Sequence, residues 1–569
     1  MDKKQAFNIL FFFLILSLGI LLKFFLVFVL PIYHDVGWYS ALANYHDSAY
    51  MNLIVLQHPP FGYYPYLLSI TILGVHDYAI RLVPFLFSIL ELFLLYFIAK
   101  RWFGKTAAFY ALLLFSLTYF ATFHSLSPEG DGSIMGFFSL LLFFSFFEWY
   151  RMHERKYLLL TGLFLGIHLL IKIRTILFVL PLFLYSFYKT KDIRSTFQDI
   201  TSLCFFASII FSIFPILVYL ANPEFFLPLM ERVIAHNTGN FSIFYKFSHL
   251  SLFTPIFILL SFLYPFLFLQ GLFARGTNLK KKNVNEEKDA CMLLLFWFVS
   301  LFLMFLAILP EGLAGAYPRY IAFLVPPLIL LSARGFASLR ISEKMVAFVL
   351  FNSILLSLVF LYLNQIASIP SGYWYFMTAA MGILKISKLI LFFVFSMSCV
   401  LLILFFYSSS FKYRRAWISF FLILNIGFQI LLITDPFIDQ THRKIITDFT
   451  TYYNQHDIKE PIFVWVDDLA FYLGIPASNI NLMTEPWLYK YAQKIGYNDQ
   501  GFFYFIPSYR VSMSFLEKKG GTVFSLYYPL KYTLDIDVNR KEEYAYLLSH
   551  CTLLAEFNYS HAKGVIFEC

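Results

Sequence analysis

Charge is what this chain lacks most. Of 569 residues only 14% are Asp, Glu, Lys or Arg, where a water-soluble domain carries about 25%. Hydrophobic residues make up 60%, aromatic residues 21%, and the mean hydropathy is +0.70. These departures exclude a cytosolic enzyme, a disordered chain and a nucleic-acid-binding domain. Cysteine is also scarce: the five present form no CxxC pair and no Cys/His cluster, which excludes a zinc module and a disulfide scaffold. There is no internal repeat and no low-complexity tract beyond the apolar bias. What abounds is 73 Phe and 39 Tyr, residues suited to lipid contact and interfacial belts. The chain reads as a polytopic membrane protein.

Lys3 and Lys4 precede an apolar run from Ala6 to Pro31, broken only by Asn8 and Lys23. That run exceeds the ~7–15 residues of a signal-peptide core, and no small-x-small cleavage site follows, so it reads as a retained first helix. Further apolar runs lie at roughly 80–99, 106–124, 132–150, 157–173, 175–188, 201–221, 252–273, 290–310, 320–333, 346–363, 388–407 and 417–434, about thirteen spans in all. Several are near or below the ~17–25 residues of a full crossing. The stretch 157–188 is too long for one helix and tight for two.

Basic residues orient these spans. Lys3/Lys4, Lys100/Arg101/Lys105, Arg151/Arg155/Lys156, Lys189/Lys191/Arg194, Lys280/Lys281/Lys282, Arg334/Arg340/Lys344 and Lys412/Arg414/Arg415 fall in alternate loops. The positive-inside rule makes those loops cytoplasmic and turns 32–79, 125–131, 222–251, 311–319 and 364–387 outward. The alternation absorbs the net charge of +9, so no nucleic acid or other polyanionic partner is needed. An odd number of spans then leaves the C-terminus outside.

Two domains follow. Residues 1–434 form the transmembrane domain, with a large first outer loop over 32–79; residues 435–569 form a small extracytoplasmic α/β domain. In the latter, Pro461–Val466, Asn479–Met483, Phe502–Pro507 and Thr522–Tyr528 read as strands, and Glu485–Lys494 and Pro507–Lys518 as helices. Cys551–Tyr559 and Lys563–Cys569 flank a polar turn, Ser560-His561-Ala562. A hairpin there brings Cys551 opposite Cys569 and leaves two readings open, a disulfide or two unpaired thiols.

In so apolar a chain the informative residues are ionisable ones at the outer helix ends. A charge at the bilayer centre costs about 2.5–3.5 kcal/mol on insertion scales and usually faces a cavity or a partner. Asp35 follows the first span. Glu129 and Asp131 follow the third in Ser127-Pro128-Glu129-Gly130-Asp131-Gly132; two apart, they do not share a helix face. His58, Arg81, Lys172, Arg174 and Arg319 supply outer-side bases. Each Arg or Lys alone reads more readily as an interfacial anchor than as a ligand, and Glu91 and His124 read as local helix-end groups. The gathering of acids and bases on one side favours a shared anion-holding vestibule. The segment Asn222–Ser251, with Glu231, Arg232, His236 and Asn237, reads either as a lid over it or as a plain connector.

The order of motifs resembles a known family. His58-Pro59-Pro60-Phe61, Arg81-Leu82-Val83-Pro84, Trp102-Phe103-Gly104, Asp131 opening a span, Leu170-Ile171-Lys172 and Pro318-Arg319-Tyr320 succeed the acid-bearing loop of Asp35. This pattern is similar to the type C fold membrane glycosyltransferases of the dolichyl-phosphate-mannose–protein mannosyltransferase superfamily, in the bacterial aminoarabinose and galacturonosyl transferase branch. The motifs cover residues 30–190, with a weaker echo at 310–335. There are departures: Asp35 is followed by Val36 where many relatives have Asp-Glu, and His58 stands where a Lys often precedes Pro-Pro. The resemblance implies an α-helical polytopic fold of about 13 transmembrane helices with a small C-terminal α/β domain. It implies inverting transfer of a sugar from a polyprenyl-phosphate carrier to a hydroxyl of lipid A, a glycan or a protein, at the outer face of the inner membrane. Asp35 is then expected to be the base and Asp131 an orienting acid, with Glu129 a possible second acid. Lys172, His58, Arg81 and Arg319 are expected to hold the donor phosphate. No cofactor is expected; a divalent cation between Asp35 and Asp131 is compatible with the acids but not predicted. The rival readings are a lipid or sugar transporter (a flippase) and a non-catalytic scaffold. Transporters usually show paired repeats and polar midplane breaks, which this chain lacks; a scaffold leaves the vestibule charges without a task.

Overall fold

A computed structural model describes residues 3–29, 60–62, 64–74, 76–117, 132–221, 282–308, 323–338, 441–458, 460–464, 480–481, 503–505, 521–527, 544–558 and 563–569, with a few short pieces between them (121–122, 126, 223, 226, 267–268, 270–272). Two compact units emerge. One comprises Met1–Val27, Val55–Pro65 and Arg81–Asp435; the other comprises Phe28–Ile54, Tyr66–Ile80 and Pro436–Cys569.

The described helices are α1 (Lys3–Val29), α2 (Tyr64–Leu73), α3 (Asp77–Phe103), α4 (Lys105–Leu117), α5 (Ser133–Met152), α6 (Arg155–Ile171), α7 (Val179–Thr190), α8 (Ile193–Phe211), α9 (Ile213–Ala221), α10 (Lys282–Ile308), α11 (Val325–Ser338) and α12 (Thr441–Gln455). Three stretches among the described residues are long and apolar enough to cross a membrane: Asp77–Phe103, Ser133–Met152 and Ile193–Leu217, the last running from α8 into α9. Many of their exposed side chains, among them Leu86, Leu90, Phe93, Phe97, Phe205 and Ile209, are apolar, as a lipid-facing surface requires.

Local chemistry explains the helix ends. Gly104 takes φ +92° between α3 and α4, a left-handed turn open to glycine without a Cβ penalty. A Cβ there would meet nothing within 4 Å, so backbone conformation rather than crowding accounts for the glycine of Trp102-Phe103-Gly104. Asp192 caps α8 by accepting from the backbone N–H groups of Arg194 (3.1 Å) and Ser195 (3.0 Å). The stretch 157–188 resolves into two helices, α6 and α7, joined through a 3-10 segment, Ile173–Phe178.

The core of the first unit is aromatic and aliphatic, with Trp297 fully buried and stacked on Phe143 at 3.9 Å. At the end rich in bases, the charged side chains are mostly paired. Glu148 is buried against Arg151 and Arg101 (3.5 Å), Lys189 meets Asp289 at 2.7 Å, and Arg334 meets Glu287 at 2.6 Å. Arg101, Lys189 and Arg334 therefore also serve as joints between helices.

In the second unit a six-stranded sheet runs β2-β3-β1-β4-β6-β5, with β1 (Ile462–Val464), β2 (Ile480–Asn481), β3 (Phe503–Phe505), β4 (Thr522–Tyr527), β5 (Thr552–Asn558) and β6 (Lys563–Glu568). The first four strands are parallel, and β5–β6 is an antiparallel hairpin joined to β4. Each strand falls inside a run expected from the sequence. The hairpin ends in a disulfide between Cys551 and Cys569, which closes the choice left open above. The polar segment after 435 contains an unexpected helix, α12, whose Ile445, Ile446 and Phe449 are buried; the Phe449 ring meets Phe524 of β4 at 5.5 Å. The expected helices Glu485–Lys494 and Pro507–Lys518 lie outside the described residues.

Candidate functional site

Of the expected site residues, Arg81 and Lys172 are described. Asp35, His58, Glu129, Asp131 and Arg319 lie outside the described residues, as do His124 and most of the Asn222–Ser251 segment. The side chain of Arg174 is likewise outside them.

Lys172 marks a break. It caps α6 with an extended backbone (φ −158°, ψ 122°), after which the chain resumes as the 3-10 segment. Its backbone N–H still donates to His168 O at 2.8 Å, while its own carbonyl accepts from Thr175 N–H (3.0 Å) and Thr175 Oγ1 (2.7 Å). Both backbone groups of the lysine are thus occupied, and the half-buried side chain leaves from a fixed root.

The described half of the His58-Pro59-Pro60-Phe61 motif packs at this root. Pro60–Gly62 forms a 3-10 turn, and a Cβ on Gly62 would lie 2.8 Å from the carbonyl oxygen of Ile171. Only a glycine permits so close a backbone approach. Phe61 stands edge-on to Phe138 of α5 at 5.6 Å and packs beside Leu170 and Phe214. Phe138 also lies 6.5 Å from the His168 ring, which is edge-on to Phe178 at 4.9 Å. His168 Nε2 and Ser139 Oγ form a hydrogen bond of 3.3 Å, tying α6 to α5. Two motifs more than a hundred residues apart in sequence are thereby joined through one aromatic cluster.

Arg81 is 0% exposed in α3, four residues from the Asp77 start of that helix. The alternative of a snorkelling interfacial anchor is therefore excluded for Arg81, because an anchor keeps its guanidinium in the headgroup layer.

Sequence reasoning misplaced Glu91. It is not a helix-end group: it sits in the interior of α3 and is 4% exposed. Its carboxylate accepts from the Ser133 hydroxyl and lies in the electrostatic field of Lys23. Lys23 is 2% exposed, with Nζ 4.0 Å above the Phe115 ring. The signal was present, since one acid and one base interrupt apolar runs that tolerate neither alone; no local periodicity says that the two meet.

Comparison with known proteins extends this geometry. Residues 57–219 match the family model described as dolichyl-phosphate-mannose-protein mannosyltransferase. That interval contains the Pro60–Gly62 turn, Arg81, Glu91 and Lys172. The fold is similar to that of ArnT from Cupriavidus metallidurans. The similarity to that protein bound to undecaprenyl phosphate has a TM-score of 0.59 at 16% identity, covering 97% of this chain and 97% of the other. For its apo state the TM-score is 0.60 at 16% identity, covering 99% and 98%. No curated protein sequence matches the chain.

Proposed function

We propose that this chain, whose fold is similar to that of ArnT and whose residues 57–219 match the dolichyl-phosphate-mannose-protein mannosyltransferase family model, is an inverting glycosyltransferase of type C fold. It moves a sugar from a polyprenyl-phosphate donor to an acceptor hydroxyl of lipid A, a glycan or a protein at the outer face of the inner membrane. One observation carries the reading: the Pro60–Gly62 turn is seated on the helix end that presents Lys172, inside the interval that matches the family. The similarly folded ArnT seen with undecaprenyl phosphate adds support for a lipid-phosphate donor.

The chemistry follows from the leaving group. The acceptor oxygen attacks the anomeric carbon and the bond from that carbon to the phosphate oxygen breaks, its electron pair leaving with the polyprenyl phosphate. The acceptor proton passes to the carboxylate of Asp35, acting as general base. Asp131 orients acceptor or sugar, with Glu129 as the alternative acid. A phosphate departs as a stable anion, so cations stabilise it where other leaving groups need an acid. Lys172, Arg81, His58 and Arg319 take that role, and no divalent ion or other cofactor is part of the proposal. The N-terminus is cytoplasmic and the domain from 435 onward extracytoplasmic.

The test is mass spectrometry of envelope glycolipids and glycans from cells with and without the protein. A sugar present only with the protein, and lost in an Asp35→Asn variant expressed at the normal level, is the expected result. Identical profiles overturn the transferase reading; an intact product with Asp35→Asn overturns the base.

A further inference from the structure

We propose that Glu91, held between Lys23 and Ser133, is a positioning residue for Asp131. This deepens the transferase reading and rests on the role given there to Asp131.

Three observations converge on the Glu91 carboxylate. Ser133, whose hydroxyl donates to it, is the first residue of α5 and stands two residues after Asp131. Gly136, one turn on, comes so close that a Cβ there would collide with the carboxylate oxygens, so the first turn of α5 rests directly on Glu91. Lys23 of α1 supplies the opposing charge; its ammonium makes no hydrogen bond among the described residues and lies over Phe115 of α4. The clasp thus joins α1, α3, α4 and α5, and Lys23 stands twelve residues before Asp35 in the sequence.

Bundle stability does not require this arrangement. Apolar residues of similar volume often replace buried opposite charges with no loss or with a gain. A carboxylate adds a directional bond that fixes the rotation and height of one helix turn. At the root of an acid that orients substrate, a displacement of about 1 Å lowers a rate on the order of a hundredfold.

The experiment uses the full chain in lipid nanodiscs, carrying Cys204→Ser, Cys291→Ala and Cys399→Ala so that an Asp131→Cys thiol is the one that reports. Lys23→Met/Glu91→Leu removes both charges and the acceptor, whereas Lys23→Met/Glu91→Gln removes both charges and keeps an acceptor for Ser133. The expected result is a labelling rate with a membrane-impermeant maleimide at least fivefold higher in the Leu pair, and within twofold of the parent in the Gln pair. Ser133→Ala is expected to match the Leu pair, and it decides alone if the Leu pair fails to fold. Ser300→Ala, whose hydroxyl bonds only the local carbonyl of Phe296 on α10, is expected to leave the rate unchanged. Equal rates in the Leu and Gln pairs, or no response to Ser133→Ala, overturn the proposal. In the chain that keeps Asp131, the Leu pair and Ser133→Ala are expected to lower kcat about tenfold with donor KM within twofold, where a merely structural defect lowers the melting temperature and the yield of active protein and leaves kcat per active molecule unchanged. If the unaltered chain transfers no sugar from any polyprenyl-phosphate donor, the transferase reading falls, and the labelling ratio still supports or overturns the clasp.

Discussion

The pair Arg334–Glu287 shows what a single ionisable residue does in this bundle. Its side chains are 5% and 1% exposed, with Nε 2.6 Å from Oε1. Removing one member leaves the other charge buried, a change that costs about 3–5 kcal/mol, whereas replacing both by well-packed apolar residues is often neutral or better. Glu287→Ala is therefore expected to lower the thermal unfolding temperature of the detergent-solubilised protein sharply, and Glu287→Leu/Arg334→Met to restore most of it. Equal losses in both variants would show that the side chains matter by shape alone. Outside the membrane-spanning helices, Tyr453 of α12 offers a pH-dependent counterpart. Burial, with Glu460 adding to it, pushes its phenol above the ordinary 10.0. The folded state holds this proton more tightly than the unfolded chain, so the stabilisation is complete below the unfolded value and disappears as pH rises through the raised one. Tyr453→Phe is expected to flatten the alkaline limb of stability above about pH 10, measured by denaturant unfolding from neutral to alkaline pH; an unchanged limb would assign the slope to other groups.

At the scale of elements, the contact of α6 with α8 controls where Lys172 stands. Gly162 and Gly166, four apart on one face of α6, let the helices approach: a Cβ at Gly162 would lie 2.7 Å from the Phe206 Cβ, and one at Gly166 would lie 2.6 Å from the Ile210 Cβ. Small residues at this spacing are how helices pack closely in lipid, where apolar burial supplies no net drive. Gly166→Val is expected to destabilise by about 1–3 kcal/mol through overpacking, and to weaken polyprenyl-phosphate binding by shifting the helix end that carries Lys172. Native mass spectrometry with undecaprenyl phosphate checks the second effect; wild-type binding with a lowered melting temperature would confine the glycine's role to packing. Elements of this kind were largely legible beforehand. The strands β1 to β6 stand out as short runs bounded by turn residues, and the Cys551/Cys569 hairpin follows from two extended runs around Ser560-His561-Ala562. Helix α12 was not read because its apolar content is low, although Ile445, Ile446 and Phe449 carry an i, i+1, i+4 pattern. For the site, ordered motifs pointed to Lys172 and Arg81 one by one. The Ser139–His168 bond, the seat of Gly62 on Ile171 and the Glu91–Ser133 contact join residues from different helices, and no local period encodes such partners.

At the scale of the whole molecule, sidedness links the charge pattern to the chemistry. Bases at one set of helix ends predict which loops stay in the cytoplasm, and the odd number of spans expected from the sequence would place the domain from 435 onward on the opposite face. The Cys551–Cys569 bridge supplies a test independent of that count, because disulfides persist in oxidising compartments and are rare in the cytosol. Closing a loop of sequence separation 18 stabilises the folded domain by about 3 kcal/mol in the chain-entropy account. Trapping thiols with an alkylating agent at the moment of lysis, followed by peptide mass spectrometry, is expected to recover the two cysteines bridged and Cys204 and Cys291 alkylated. Proteinase K added to right-side-out vesicles is expected to digest the C-terminal domain without permeabilisation. Protection from protease together with free Cys551 and Cys569 would turn the protein over in the membrane. Lys172 and Arg81 would then face the wrong leaflet for a donor presented outside, and the transferase proposal would have to be rebuilt around a cytoplasmic substrate.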